Sequence, residues 1–461
     1  MADLIIIGAG PGGYETAVKA AESGLEVVII EKEQLGGTCL NAGCIPTKCL
    51  CHTAESLDVV REISPFALLE SANELLEKAI GRKNEVVERL REGIAQLMKT
   101  PGIKLVFGEA RFQDARSVQV GETVYTAKNI IIATGSMTKY LPIEGAHADG
   151  VITSTELLNM SDFPKNPLAG GITRLCIIGG GVIGMEFASV YRSFGIDVEV
   201  IEYCKEILPA FDKDIAKRLR TSLKKRGVNF HVGASAKKIT PADVSNGKPR
   251  MTVTFEEKGK EQTVDCEIVL MAVGRAANVE ALNLDEIGIN YTSKGIKVDE
   301  NMQTNIEGVY AVGDINGLCQ LAHAASFQGL CALQHILSKD DSYKESLKII
   351  PSAVFTVPEV ASVGQTEEQL KDAGVVYKTL KSFYRTNGKA LSLNAGDGMV
   401  KLLVTDGGEI LGAHILGAHA SDLIHEIAVV MRKGGKVDDI SGTIHAHPSL
   451  SEIVLDAARR F

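Results

Sequence analysis

Apolar residues gather into short runs along this chain: Leu4-Ile5-Ile6-Ile7, Val27-Val28-Ile29-Ile30 and Leu175-Cys-Ile-Ile178 are unbroken, and Val198-Glu-Val-Ile201 is broken only by Glu199. Such runs, separated by helix-length segments and closed by glycine or an acidic residue, predict strands covered on both faces, the pattern of a parallel sheet. The pattern also repeats. Leu4–Gly13 aligns with Leu175–Gly184 at an offset of 171 residues, and the same offset carries Ala17 to Ala188, Gly24 to Gly195 and Glu31 to Glu202 without an insertion. Two βαβ units are expected, and the fold class is α/β.

From about Ser71 to Lys99, charged and apolar residues alternate at helical spacing, interrupted by Gly81, which predicts long helices there. Tyr140 to Gly171 holds Pro142, Pro164, Pro167 and several glycines and reads as the joint between the first two domains. Thr252 to Val273 alternates as strands. After Ile349 come strand-like runs (Ser352–Thr356, Val400–Thr405, Ile410–Leu416), then helical Ala420–Lys433 and a last helix after Pro448. The change after Ile349 reads as a separate C-terminal α+β domain.

A chain of 461 residues is too long for one core, which agrees with that division. The formal charge of −9 and the lack of any Trp disfavour a nucleic-acid surface. No stretch approaches the roughly 20 apolar residues needed to cross a bilayer, and Met1-Ala2-Asp3 leads straight into the first strand. A soluble, cytoplasmic protein is expected. Of the nine cysteines, Cys176, Cys266 and Cys331 sit singly among apolar residues, as small buried hydrophobes in a reducing compartment do. Cys39 and Cys44 differ.

Gly8, Gly10 and Gly13 follow a strand, open a helix and precede Glu31, which ends the next strand. In a dinucleotide fingerprint the first glycine permits the tight turn, the second admits a pyrophosphate, and the third lets helix and strand pack. The helix N-terminus then faces the phosphates, and the acidic residue accepts from a ribose hydroxyl. Gly179, Gly181, Gly184 and Glu202 repeat the arrangement. Glu202 would repel a 2′-phosphate, which favours NAD over NADP there.

The segment Gly36-Gly-Thr-Cys39-Leu-Asn-Ala-Gly-Cys44-Ile-Pro-Thr-Lys48 follows the first fingerprint closely. Thr38 is placed to cap a helix beginning near Cys39, whose positive end would lower thiol pKa values. Residues five apart do not share one helical face, so joining the two cysteines needs a distorted turn, for which Gly43 and Pro46 leave room. On these residues alone a redox-active disulfide stands beside two other readings: a metal site, for which no second ligand set is present, and two core cysteines.

With this segment the chain resembles the flavin-dependent pyridine-nucleotide disulfide oxidoreductases. Ala133-Thr134-Gly135-Ser136 and Thr304-Asn-Ile-Glu-Gly-Val-Tyr-Ala-Val-Gly313-Asp314 are similar to family segments that close over FAD, so the resemblance spans essentially the whole chain. It implies two Rossmann-like domains, the first for FAD over residues 1–142 with 272–342 and the second for NAD over residues 143–271, plus a C-terminal dimerisation domain over 343–461. By the same resemblance Cys39 is the interchange thiol and Cys44 the thiolate facing the flavin. Lys48 is the cation beside the flavin ring, paired with Glu186, although Glu186 has a repeat counterpart in Glu15. Thr38, Thr134, Gly135, Asp314 and Ala322 join Gly8, Gly10, Gly13 and Glu31 on the FAD side; Glu186 and Gly274 join the second glycine motif and Glu202 on the NAD side. In His445-Ala-His447-Pro448-Ser449-Leu-Ser-Glu452 the resemblance makes His447 the general base and Glu452 its orienting carboxylate. Read alone, Ser449 and Glu452 also form an S-x-x-E capping box. In the family this segment reaches the disulfide of a second subunit, which implies a homodimer.

Cys-Leu-Asn-Ala-Gly-Cys-Ile-Pro-Thr-Lys and Glu202-Tyr203 resemble the dihydrolipoamide dehydrogenase branch more than the glutathione-type reductases, and the chain does not end in the paired cysteines of mercuric reductases. The expected reaction passes electrons from a lipoyl-bearing partner protein through Cys39/Cys44 and FAD to NAD, in a 2-oxo acid dehydrogenase complex or the glycine cleavage system. The rivals are NADH-dependent reduction of another disulfide and a non-catalytic redox-sensing subunit. Two segments depart from the family pattern: Gly317-Leu-Cys-Gln-Leu-Ala-His323 and Gly274-Arg-Ala-Ala-Asn278.

Overall fold

A computed structural model describes residues 1–63, 72–159, 172–245, 248–339 and 343–461. The chain forms two compact units, one of Met1–Thr47, Gly81–Lys139 and Gly274–Lys348, the other of Lys48–Ile80, Tyr140–Val273 and Ile349–Phe461.

The first unit is built on parallel strands in the order Ile103–Phe107, Val27–Glu31, Ala2–Ile7, Thr123–Ile132, Val309–Ala311. Alternate residues of these strands enter opposite cores. Ile5, Ile7, Val28, Ile30, Ile130 and Ile132 face one, and Leu4, Ile6, Val27, Ile29 and Ile131 face the other. A strand covered on both sides has no solvent face to mark with polar residues, which is why its sequence is an unbroken apolar run. Helix Pro11–Glu22 covers one side and packs on helix Ala322–Ile336, Gly12 lying against Ala325 and Gly329 against Thr16.

The second unit repeats the motif with parallel strands ordered Val228–Val232, Asp197–Glu202, Arg174–Ile178, Ile268–Met271, Val151–Thr153. A three-stranded antiparallel sheet follows, made of Ala234–Ser245, Lys248–Glu257 and Lys260–Cys266. The same unit carries a five-stranded antiparallel sheet ordered Ser352–Val354, Val360–Gly364, Ile410–Leu416, Met399–Val404, Lys378–Phe383, with helices Ala420–Arg432 and Glu452–Ala458 packed on it. These match the strand runs and the two C-terminal helices expected from the sequence.

Two expectations are corrected. Gly81 does not interrupt its helix: Ala72–Leu97 is one continuous helix of 26 residues. A helical glycine costs about 1 kcal/mol against alanine, less than the gain from the apolar stripe on either side of it. The breaker-rich stretch after Tyr140 is not wholly a joint, since Val151–Thr153 adds an edge strand to the second parallel sheet and Ser154–Asn159 is helical. Pro164, Pro167 and Gly171, like Ser71, lie outside the described residues.

Candidate active site

The two fingerprint turns are near copies of each other. Gly8 and Gly179 turn at φ +104° and +113°. A Cβ at Gly13 would lie 1.9 Å from the Gly8 carbonyl, and one at Gly184 would lie 2.0 Å from that of Gly179, so neither helix could approach its strand with a side chain there. Helices Pro11–Glu22 and Val182–Ser193 both start without a side-chain cap. Behind each turn sits a buried carboxylate. Glu31 accepts from Ala9 N at 2.8 Å and from Glu33 N at 2.9 Å, while Glu202 accepts from Gly180 N and from Cys204 N. Each carboxylate is thereby fixed with lone pairs to spare. An uncapped helix start beside an oriented carboxylate is a donor and acceptor set that fits the pyrophosphate and ribose of a dinucleotide.

The redox segment is fastened to the first of these turns. Gly36 N donates to Ala9 O at 2.8 Å, and a short helix, Gly37–Ala42, begins directly afterwards with left-handed Gly36 as its cap. Thr38 therefore does not cap the helix; it lies inside the first turn, and no side chain caps that end. Cys39 is in this helix and Cys44 opens the next, Cys44–Ile63, so the break between the cysteines falls at Gly43. A Cβ on Gly43 would come within 2.8 Å of Thr38 O and 3.4 Å of Cys39 Cα, showing how tightly the chain folds back there. Asn41, which the sequence did not single out, staples the loop: its Nδ2 donates to Leu35 O and Gly37 O, both at 2.9 Å. Arg91 in turn donates to Asn41 Oδ1 from Nε at 3.1 Å and from Nη2 at 2.9 Å.

In the same unit the loop after strand Thr123–Ile132 meets the Gly313–Asn316 turn. Ser136 Oγ donates to Asp314 Oδ2, and Arg275 donates to Ser136 Oγ from Nε at 2.7 Å and to Ser136 O from Nη2 at 2.6 Å. Thr134 Oγ1 donates to Asn278 O at 3.0 Å, and Asn278 N to Gly135 O at 3.0 Å. The two alanines of Gly274-Arg-Ala-Ala-Asn278 pair with Met137 and Ser136 as a short antiparallel ladder. Beneath Asp314, buried Gln328 Oε1 accepts from Gly313 N at 2.7 Å and Asn316 Nδ2 at 2.8 Å, a support the sequence did not reveal. Ala322 begins helix Ala322–Ile336, which also lacks a side-chain cap. Gly274 lies in this first unit.

In the second unit, Lys48 Nζ meets Glu186 Oε1 at 3.0 Å and Oε2 at 3.1 Å. Glu186 is buried, whereas its repeat counterpart Glu15 is exposed, so the two copies have diverged at this position. Phe355 adds two contacts not foreseen from the sequence: its N–H donates to Glu186 Oε1 at 3.0 Å, and its ring lies 4.5 Å from Lys48 Nζ.

His447 and Glu452 are also together. His447 Nδ1 lies 3.0 Å from Glu452 Oε1, and Ser449 N donates to Glu452 Oε2 at 2.9 Å. The backbone bond from Ser449 and then the bond to His447 hold the Glu452 carboxyl below the usual glutamate range. Half of the capping box is therefore present, but Ser449 Oγ pairs with Ser451 Oγ instead of capping the helix. Among the described residues no group of His, Cys, Asp and Glu is arranged to hold a metal ion, and no helix is long and apolar enough to cross a membrane.

Comparison with known proteins gives a consistent result. Residues 2–329 match the pyridine nucleotide-disulphide oxidoreductase family, and residues 350–458 match its dimerisation domain. The chain is 40% identical to the dihydrolipoyl dehydrogenase of Bacillus subtilis over 464 residues, covering 99% of this chain and 95% of that one. It is 36% identical to the leghemoglobin reductase of Glycine max, covering 99% and 87%. Among solved structures, the HOCl-induced flavoprotein disulfide reductase RclA of Escherichia coli superposes with a TM-score of 0.86 at 29% identity, covering 99% of both chains.

Proposed function

Because the chain belongs to the pyridine nucleotide-disulphide oxidoreductases, which use FAD and NAD, we propose that it oxidises the dihydrolipoyl group of a separate carrier protein and reduces NAD. The observation that carries this reading is the His447–Glu452 pair, since Glu452 engages Nδ1 and leaves Nε2 as the ring nitrogen that can meet a substrate thiol. A dithiol is mostly protonated near neutrality, so its attack on a disulfide needs a base. His447 Nε2 takes the proton, the substrate thiolate attacks Cys39 Sγ, the Cys39–Cys44 bond breaks, and Cys44 leaves as the thiolate. The second substrate thiol then displaces Cys39, closing the lipoyl disulfide and leaving the enzyme with both cysteines reduced. FAD, when bound, carries the electron pair onward, so that NAD+ becomes NADH.

We assign Gly8, Gly10, Gly13, Glu31, Thr38, Thr134, Gly135, Asp314 and Ala322 to holding FAD, with Lys48 toward the flavin. Gly179, Gly181, Gly184, Glu202, Glu186 and Gly274 are assigned to the NAD side. The dimerisation domain supports a homodimer in which His447 serves the disulfide of the second copy. A carrier of a 2-oxo acid dehydrogenase complex or of glycine cleavage fits as partner, and the cytoplasm as location.

Steady-state NADH formation from dihydrolipoamide and NAD, compared with NADP and with His447→Ala, tests the reading. NAD-selective turnover that collapses in the variant supports it. A protein with FAD bound and its disulfide reducible by NADH, yet inert toward dihydrolipoamide, is instead a reductase of another disulfide, the activity named for the Escherichia coli relative.

A further inference from the structure

The His447 ring is 80% exposed in its side chain and stands on a segment without regular structure. From Gly442 to Pro448 every residue is exposed except His445, whose side chain is only 5% exposed. The C-terminal side of His447 is well held: Ser449 N is bonded to Glu452, Asn387 Nδ2 donates to Ser449 O at 3.0 Å, and Leu450 is buried. The N-terminal side has a different anchor. His445 Nε2 lies 2.8 Å from Glu426 Oε1 on helix Ala420–Arg432, and its Nδ1 lies 2.9 Å from Thr443 O. One ring nitrogen faces a carboxylate and the other a carbonyl, so the ring is held at two points.

We propose that His445, through Glu426, is a positioning residue for the base: it fixes the segment entering His447 and so restricts where His447 Nε2 points. This rests on the reading of His447 as the base of dithiol oxidation. A base held from one side only samples more orientations, and general-base catalysis falls steeply with misplacement, by as much as ~100-fold for about 1 Å. His445 itself acts without touching substrate or cofactor. Glu452 already orients the ring about its own axis, whereas His445 orients the backbone that carries the ring.

The test uses the FAD-loaded protein with His445→Phe, which loses both bonds, His445→Gln, which keeps a donor toward Glu426, and Glu426→Ala. Dihydrolipoamide oxidation is expected to fall by about 10- to 100-fold in His445→Phe and Glu426→Ala, mainly in kcat, with partial recovery in His445→Gln. NADH oxidation by ferricyanide, which bypasses the thiols and the base, stays unchanged. Adding His445→Phe to His447→Ala costs nothing further, because the first acts through the second. A readout free of dithiol substrate is the pH profile of iodoacetamide alkylation of the NADH-reduced protein, which in His445→Phe moves toward that of His447→Ala. An additive double variant, equal loss in both activities, or an unchanged His445→Phe profile overturns the proposal. If the unaltered protein fails to oxidise dihydrolipoamide, the substrate assignment fails, while the alkylation profiles still decide whether His445 acts on His447.

Discussion

Glu452 divides its carboxylate between His447 and the backbone, Oε1 facing His447 Nδ1 at 3.0 Å while Oε2 takes the Ser449 N–H at 2.9 Å. One side chain thus orients the His447 imidazole and ties down the turn before the last helix. The two roles separate in variants. Glu452→Gln keeps an oxygen for Ser449 but removes the charge that steadies a protonated His447; dithiol oxidation should fall about 10- to 100-fold, less than the roughly 100- to 10,000-fold that a whole general base supplies. Its melting temperature should stay close to that of the parent. Glu452→Ala should lose activity and also lower the melting temperature, because the Ser449 N–H loses its acceptor. Because its partners hold the Glu452 carboxyl below the usual value, the pair is intact above the ordinary glutamate range and is lost as pH falls through the depressed value. The kcat profile should accordingly show no ionisation near an ordinary glutamate pKa of about 4.3.

The break between Cys39 and Cys44 depends on a residue with no side chain. At Gly43 an added Cβ would meet Thr38 O at 2.8 Å and Cys39 Cα at 3.4 Å, both on the backbone and unable to swing aside. Gly43→Ala should therefore force the two flanking helices apart, with an overpacking cost of about 1–3 kcal/mol. Thermal unfolding reads the stability. Titration of thiols after reduction and reoxidation reads the disulfide, which should re-form incompletely. An unshifted melting temperature with full reoxidation would show that the junction relaxes freely.

Much of the architecture was legible because it repeats and because buried parallel strands write themselves as apolar runs. The run Leu4–Ile7 has no polar position because Leu4 and Ile6 enter one core and Ile5 and Ile7 the other. The pairing of His447 with Glu452 came from the family resemblance, since the segment read alone offered the S-x-x-E capping box. Supports from distant segments left no such trace: Phe355 reaches Glu186 across 169 residues, and Arg91 reaches Asn41 across 50. Thr38 misled because its residue type favours a cap, whereas two consecutive glycines start the helix two residues earlier. Gly81 misled because propensity is a local quantity and a long amphipathic stripe outweighs it.

Nucleotide choice should rest on Glu202. Its carboxylate is buried and fixed by Gly180 N and Cys204 N, so it cannot turn away from the 2′-phosphate of an NADP ribose. Glu202→Gln preserves the shape and much of the hydrogen bonding while removing the negative charge. The ratio of kcat/KM for NAD over NADP should shrink by about tenfold, or roughly 1.4 kcal/mol, chiefly through better use of NADP. Steady-state kinetics with the two nucleotides measures this, and an unchanged ratio would move the discrimination to other residues.

The acid response of the second unit should be governed by Lys401, which is buried with Asp212 and also reaches Glu367. Its Nζ lies 2.9 and 2.8 Å from the two Asp212 oxygens and 2.6 Å from Glu367 Oε2. Burial opposes charge on both Lys401 and Asp212, yet their hydrogen bonds outweigh it, holding Lys401 above and Asp212 below their ordinary values. Glu367, bonded by Lys371 and then Lys401, is pulled down to about 2. Both carboxyls are depressed, so their contribution is complete above the ordinary carboxylate range and disappears as pH falls through their depressed values, about 2 for Glu367. Lys401→Met leaves Asp212 buried without its cation, which should cost about 3–5 kcal/mol near neutrality. In the variant, acid then protonates Asp212 and relieves that penalty. The stability gap between parent and variant should therefore narrow from pH 7 to pH 4 as measured by urea unfolding; a gap that stays constant would assign the cost of the substitution to packing instead of charge.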